Sequence, residues 1–127
     1  MDKKIIIQSR KAPKAIGTYS QGIICDNLIF TSGQIPIDPR TNEVVSDIFE
    51  KQVEQVLYNL EQILIEAGSS KDKIIKLTVY LTDLSNFNKV NDVFLSFFID
   101  NFPARSLVEV SALPKNVNIE IEAICLK

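Results

Sequence analysis

Apolar positions along the chain change their spacing several times, and each change marks an element. Residues 4–8, KIIIQ, predict a short strand, and the loop RKAPKAIGTY follows with a proline and a glycine as punctuation. GIICDNLIFTSGQIPI carries two apolar runs around Asp26 and Asn27, the pattern of a hairpin with an Asx-rich turn. DPRTNE predicts a second turn, with Pro39 suited to an early turn position. From Asp47 the period lengthens: Phe49, Val53, Val56, Leu57, Leu60, Ile63, Leu64 and Ala67 recur three and four residues apart, one apolar stripe on a helix. Asp47 with Glu50 three positions later resembles a capping box, and Gly68 stands where a helix C-terminal glycine belongs. KIIKLTVYLT, residues 73–82, is rich in β-branched residues and predicts a buried strand. A second helix is expected over 85–99, with Phe87, Val90, Phe94, Phe97 and Phe98 on its apolar side. Strands at 104–110 and 118–126 then flank the turn LPKN.

The expected fold is α+β: a single domain over residues 1–127, with one mixed sheet of about six strands and two helices covering one face. Two helices cannot cover both sides of such a sheet, so its other face is expected to meet the sheet of another subunit. Strand side chains alternate. Arg105, Leu107 and Glu109 therefore share one face, and Ser106, Val108 and Val110 the other. In the last strand Asn118, Glu120, Glu122 and Ile124 lie opposite Ile119, Ile121, Ala123 and Cys125. The expectation is that the more apolar sets form the core under the helices, leaving Arg105 and Glu120 together on the helix-free face. Pattern alone leaves Arg105 three fates: pairing with Glu120 or Glu122, exposure to water, or a bidentate grip on a carboxylate that lysine cannot imitate.

Composition narrows the chemistry. The 127 residues are 46% hydrophobic, and 14 basic against 16 acidic residues leave a net charge of −2 without a basic stripe. Nucleic acid is therefore not an expected partner. The opening MDKKIIIQSRKAPK has three consecutive isoleucines where an export signal needs ~7–15 apolar residues, so a cytoplasmic protein without a membrane partner is expected. Cys25 and Cys125 form no CxxC pair and read as packing thiols, with a metal site or a disulfide as the other readings. Histidine is absent, which excludes Ser-His triads and leaves proton transfer to carboxylate, tyrosine, lysine, cysteine or water.

AIGTYSQGI, IFTSGQIPIDPRTNEVV and PARSLVEVSALPKNVNIEIEAI stand in the order found in the Rid family of reactive intermediate deaminases, and the chain most resembles its RidA branch. The resemblance implies a chorismate-mutase-like subunit in a homotrimer, with an inner barrel of sheets and pockets in the clefts between subunits. It implies hydrolysis of 2-imino acids and their enamine tautomers, 2-iminobutanoate and 2-iminopropanoate, to 2-keto acids and ammonia. These intermediates leave pyridoxal-phosphate-dependent dehydratases, a functional link that requires no stable complex. By the same resemblance, Arg105 binds the substrate carboxylate and Glu120 stands by the reactive water. Tyr19, Ser32, Gly33 and Asn91 match further pocket positions.

An iminium carbon is already electrophilic, so the reaction needs orientation and a proton acceptor; no cofactor or metal is expected. Tyr19 and Ser32 could position water or assist tautomerisation. The plainer readings are a rim aromatic for Tyr19, a strand-end glycine at Gly33 and a solvent-facing Asn91.

Leu107 stands where the family commonly has cysteine, which implies a more apolar and slightly fuller pocket. FFIDNFPARS is about three residues shorter than the usual family stretch, and GTYSQ replaces GPYSQ. A regulatory trimer that only binds small carboxylates is the alternative function. RNA cleavage is a third, disfavoured by the acidic balance and the missing histidines.

Overall fold

The computed structural model describes residues 3–127. Six strands form one sheet: β1 (Lys4–Ile7), β2 (Gly22–Cys25), β3 (Leu28–Thr31), β6 (Ile74–Leu81), β7 (Ala104–Glu109) and β8 (Ile119–Leu126), in the order β1-β2-β3-β8-β6-β7. Only β6 and β7 run parallel, and every other pairing is antiparallel. The DPRTNE turn closes a separate two-stranded ribbon, β4 (Ile37–Asp38) with β5 (Glu43–Val44). Helices α1 (Phe49–Glu66) and α2 (Phe87–Phe98) both lie on one face, as expected from the element order. No helix among the described residues is long and apolar enough to cross a membrane.

The α1 stripe does what its spacing implies. Val53, Val56, Leu57, Leu60, Ile63 and Leu64 are buried against Ile29, Leu77, Val79, Ile119 and Ile121 of the sheet. Polar anchors then set the helix's position. Asn59 is fully buried and donates through Nδ2 to the carbonyls of Ile35 and Ile37, 3.3 and 3.0 Å away. Gln52 donates to the Ser46 carbonyl and accepts from the Asn118 amide at 2.9 Å each. These bonds satisfy amides that burial would otherwise penalise.

The capping box expected at Asp47 does not form. The N-cap is Ile48 with no side-chain bond to the helix, and Ser46 Oγ instead accepts from the Ile48 amide at 3.0 Å. The C-terminus follows expectation: Ser69 N–H reaches the Leu64 carbonyl and Gly68 N–H the Ile65 carbonyl, both at 2.9 Å, with Gly68 at φ +82°. That is the Schellman arrangement, and the φ value is why glycine is there.

The second helix begins later than expected, after a 3₁₀ turn at Leu84–Asn86 whose entrance is held by Asp83 accepting from the Ser85 amide. Val90, Phe94 and Phe98 enter the core, but Phe87 remains substantially exposed. The helix ends in a sharp γ-turn: Ile99 has φ 69° and ψ −60°, and the Asp100 amide bonds the Phe98 carbonyl at 2.7 Å. That conformation is strained, the more so for a β-branched residue. It turns the chain in five residues from α2 to β7. Both thiols are free, with Cys125 buried and Cys25 half-buried.

Gly68→Ala has open space for its methyl group, so only backbone strain opposes it. A loss of about 1–2 kcal/mol in unfolding free energy is expected, read from the denaturant midpoint.

Candidate active site

The pairing of β7 with β6 decides where Arg105 points. Leu77 lies beside Arg105, Val79 beside Leu107 and Leu81 beside Glu109. Those three β6 residues are fully buried beneath the helices, so Arg105, Leu107 and Glu109 lie on the helix-covered face. This corrects the expectation that Arg105 sits on the open face. Ser106 and Val108 lie beside Thr78 and Tyr80 on the open side and are exposed, as is Glu109 at the strand's end. Glu120 and Glu122 do occupy the open face, opposite buried Ile119, Ile121 and Ala123, as the alternation predicts. Arg105 and Glu120 of the chain thus lie on opposite faces of the sheet.

On the helix side, α2 builds a seat for the guanidinium. Arg105 Nη1 donates to Asn91 Oδ1 at 2.8 Å, and the guanidinium carbon stands 5.5 Å from the Phe87 ring centre and 5.6 Å from that of Phe94. Phe87, Asn91 and Phe94 recur at helical spacing, which is why one helix presents all three. The rings hold the cation by their negative faces, and Asn91 orients it. Among the described residues Arg105 forms no ion pair, so neither glutamate neutralises it. Its head borders a cavity of about 420 Å³ between α2 and β7, where Asn91 also stands. Leu107 shares Arg105's face but packs partly buried against the core and does not line this cavity.

On the open side a second group gathers around Glu120. Gln34 and Ile121 exchange backbone hydrogen bonds at 2.8 and 3.1 Å, which lays the Ser32–Gln34 segment along β8. A methyl group on Gly33 would overlap the Glu120 carboxylate. A side chain at position 33 would push the Glu120 carboxylate out of this position, so the glycine leaves Glu120 its place against the segment. Ser32 Oγ donates to the Ser20 carbonyl at 2.5 Å, tying it to the loop that carries Tyr19, whose side chain is half exposed. Gln21 pins that loop from within: its Oε1 accepts from the Ser9 amide at 2.6 Å and its Nε2 donates to the Ser9 and Pro13 carbonyls. Among the described residues no group of three or more Cys, Asp or Glu side chains is placed to hold a metal ion.

Partial burial pushes Glu120 above the usual carboxylate range, and the charge of Glu122 pushes it the same way. Arg105, on the other face, does nothing to oppose this. Tyr80 donates to Glu122 Oε1 at 3.1 Å, and burial followed by that bond raises the tyrosine's pKa as well. The arrangement offers two chemistries: a half-buried arginine with donors to spare, and a carboxylate whose affinity for protons is heightened. Sequence reasoning missed Phe87 and Phe94 as the arginine's seat and Gln21 as the loop's pin. The aromatic spacing was readable, but it indicated only core.

A proton bound more tightly by folded Glu120 than by the unfolded chain favours the fold below the unfolded pKa, and that contribution is lost as pH rises through the folded one. Glu120→Gln should therefore flatten the stability decline between those two pKa values in a pH series of thermal unfolding. Glu122→Gln should lower the Glu120 midpoint followed by carboxyl carbon NMR.

Comparison with known proteins gives a concordant set. The family model described as Endoribonuclease L-PSP matches residues 9–127. A RutC family protein of Pyrococcus abyssi is 51% identical over 124 residues, covering 98% of each chain. TdcF of Escherichia coli, a reactive intermediate deaminase by name, is 44% identical over 127 residues and 98% of each chain. Its crystal structure with bound serine superposes at a TM-score of 0.90 with 43% identity, covering 97% of this chain and 98% of that one. YyfA of Yersinia pestis, titled a Rid family protein of unknown function, superposes at 0.96 with 47% identity, covering 98% of this chain and all of the other.

Proposed function

Because the chain belongs to the Endoribonuclease L-PSP family of Rid proteins, we propose that it hydrolyses reactive 2-imino acids and their enamine tautomers, including 2-iminobutanoate and 2-iminopropanoate, to 2-keto acids and ammonia. The observation that carries this reading is the guanidinium of Arg105, seated by Asn91, Phe87 and Phe94 at the edge of an apolar cavity with donors left for a small carboxylate. The name of TdcF and its serine-bound crystal structure support the same substrate class.

In the proposed reaction Arg105 grips the substrate carboxylate and presents the iminium carbon to water. Glu120, made more basic by burial and Glu122, takes a proton as the water oxygen bonds to that carbon. The neutral carbinolamine accepts this proton on nitrogen, the C–N bond breaks to release ammonia, and the Glu120 carboxylate takes the hydroxyl proton as the carbonyl forms and passes it to the departing ammonia. Water and the iminium ion are thereby converted to ketone and ammonium. Ser32, next to Gly33 at Glu120, and Tyr19, on the loop that Ser32 ties down, are assigned to orienting the water.

Arg105 and Glu120 belong to opposite faces of one sheet, so a working pocket would draw them from two subunits of the proposed homotrimer. Two features favour such an assembly: β7 is an edge strand, and the helix-free face leaves Ile6, Phe30 and Val108 exposed at 58%, 41% and 42%. RNA cleavage, which the family's title suggests, receives no support from a net charge of −2 and a chain without histidine.

Purified threonine dehydratase supplied with threonine tests the reading through the added rate of 2-ketobutyrate release. Wild type should accelerate it, and Arg105→Ala should lose about a hundredfold in kcat/KM, the value of a charge-assisted bond of about 1.5–3 kcal/mol. A folded protein without acceleration would favour the carboxylate-binding regulator. Mixing inactive Arg105→Ala and Glu120→Gln subunits checks the shared pocket: random reassembly should restore about a quarter of wild-type activity, because one hybrid interface keeps both groups. A pocket contained within one subunit would recover nothing.

A further inference from the structure

The cavity beside Arg105 has a size and lining that the carboxylate grip does not use. Leu77, Phe94, Leu95, Phe102 and Pro103 make its walls apolar, and Arg105 stands at its border. Its volume of about 420 Å³ falls within the ~300–1,000 Å³ of small-molecule sites, where a dry cavity of about 150 Å³ already holds benzene. A methyl or ethyl group would leave most of that space unfilled. The γ-turn at Ile99 makes the connection to β7 short, and Phe102 from this connection forms part of the wall. Leu95 and Phe102 also expose 59% and 56% of their surface, apolar area that an apolar ligand would cover. Among the described residues Asp92 is the one acidic side chain on the lining, and a ligand with a second carboxylate would meet its like charge there.

We propose that this cavity is a side-chain subsite, and that it selects 2-imino acids with branched aliphatic or aromatic side chains over 2-iminopropanoate and over acidic ones. The inference rests on the imino acid reading for the ligand's identity, and on the cavity alone for its shape.

An amino acid oxidase with catalase generates the imino acids of leucine, phenylalanine and alanine in place, and semicarbazide trapping reports how fast each is removed. Wild type is expected to favour the leucine-derived imine over the alanine-derived one by about tenfold or more in kcat/KM, the scale of a few methylenes in an apolar pocket. Leu95→Trp, at an exposed position that tolerates bulk, should fill the cavity and reverse that ratio. A ratio near one in wild type, or one unmoved by Leu95→Trp, overturns the subsite while leaving hydrolysis intact. Ligand-observed NMR with pyruvate, 4-methyl-2-oxopentanoate and 2-oxoglutarate separates the two claims. If no imine is hydrolysed but 4-methyl-2-oxopentanoate binds best and is weakened by Leu95→Trp, the subsite stands and the deaminase reading falls. Equal binding of all three keto acids, insensitive to Leu95→Trp, overturns the subsite whatever the kinetics show.

Discussion

Burial of Leu77, Val79 and Leu81 beneath the helices sets the parity of the end of the sheet that carries Arg105 and Glu120. Once these residues point inward, the parallel register with β7 carries Arg105 under α2, and the antiparallel register with β8 turns Glu120 outward. A one-residue slip in either pairing would exchange the faces. The hydrophobic core therefore does more than stabilise the chain: it assigns the two charged groups to opposite sides of a single layer.

Each group then acquires its character from its side. Beneath α2, the arginine loses water and receives two aromatic faces and one amide oxygen in return, which orient it while leaving donors free. On the open face the glutamate receives no cation; partial burial and a neighbouring carboxylate raise its proton affinity. Gly33 is the small residue that lets the glutamate lie where it does, and Gln34 keeps that segment against β8. The proposed chemistry uses this division, with anion binding on one side and proton transfer on the other, joined where subunits meet.

The same asymmetry explains the exposed apolar surface. Helices shield only one face, so Ile6, Ile23, Phe30 and Ile124 form a cross-strand row on the other, joined through consecutive pairings from β1 to β8. Next to this row stand Thr78, Tyr80, Glu120 and Glu122. An apolar row that merges into the carboxylate of the proposed site suits a surface where the proposed association and site assembly are one event.

The amino-acid sequence determined the elements and their internal phase. The α1 stripe, the glycine that ends it, the β6 run and the alternation along β8 are all local consequences of spacing, and they lie where the spacing puts them. It also carried the family motifs that single out Arg105 and Glu120. It could not say which face β7 turns inward, because alternation tells which residues share a side and never which side. At an edge strand both sides are partly wet, so polarity gave no guide, and the apolar set Val108 and Val110 suggested the wrong one. Only pairing with the buried side of β6 decided it. The seat of Arg105 was hidden for the same reason: Phe87 and Phe94 read as core until tertiary packing brought a cation against them, and the partner of a side chain 11 to 18 residues away is a property of the fold.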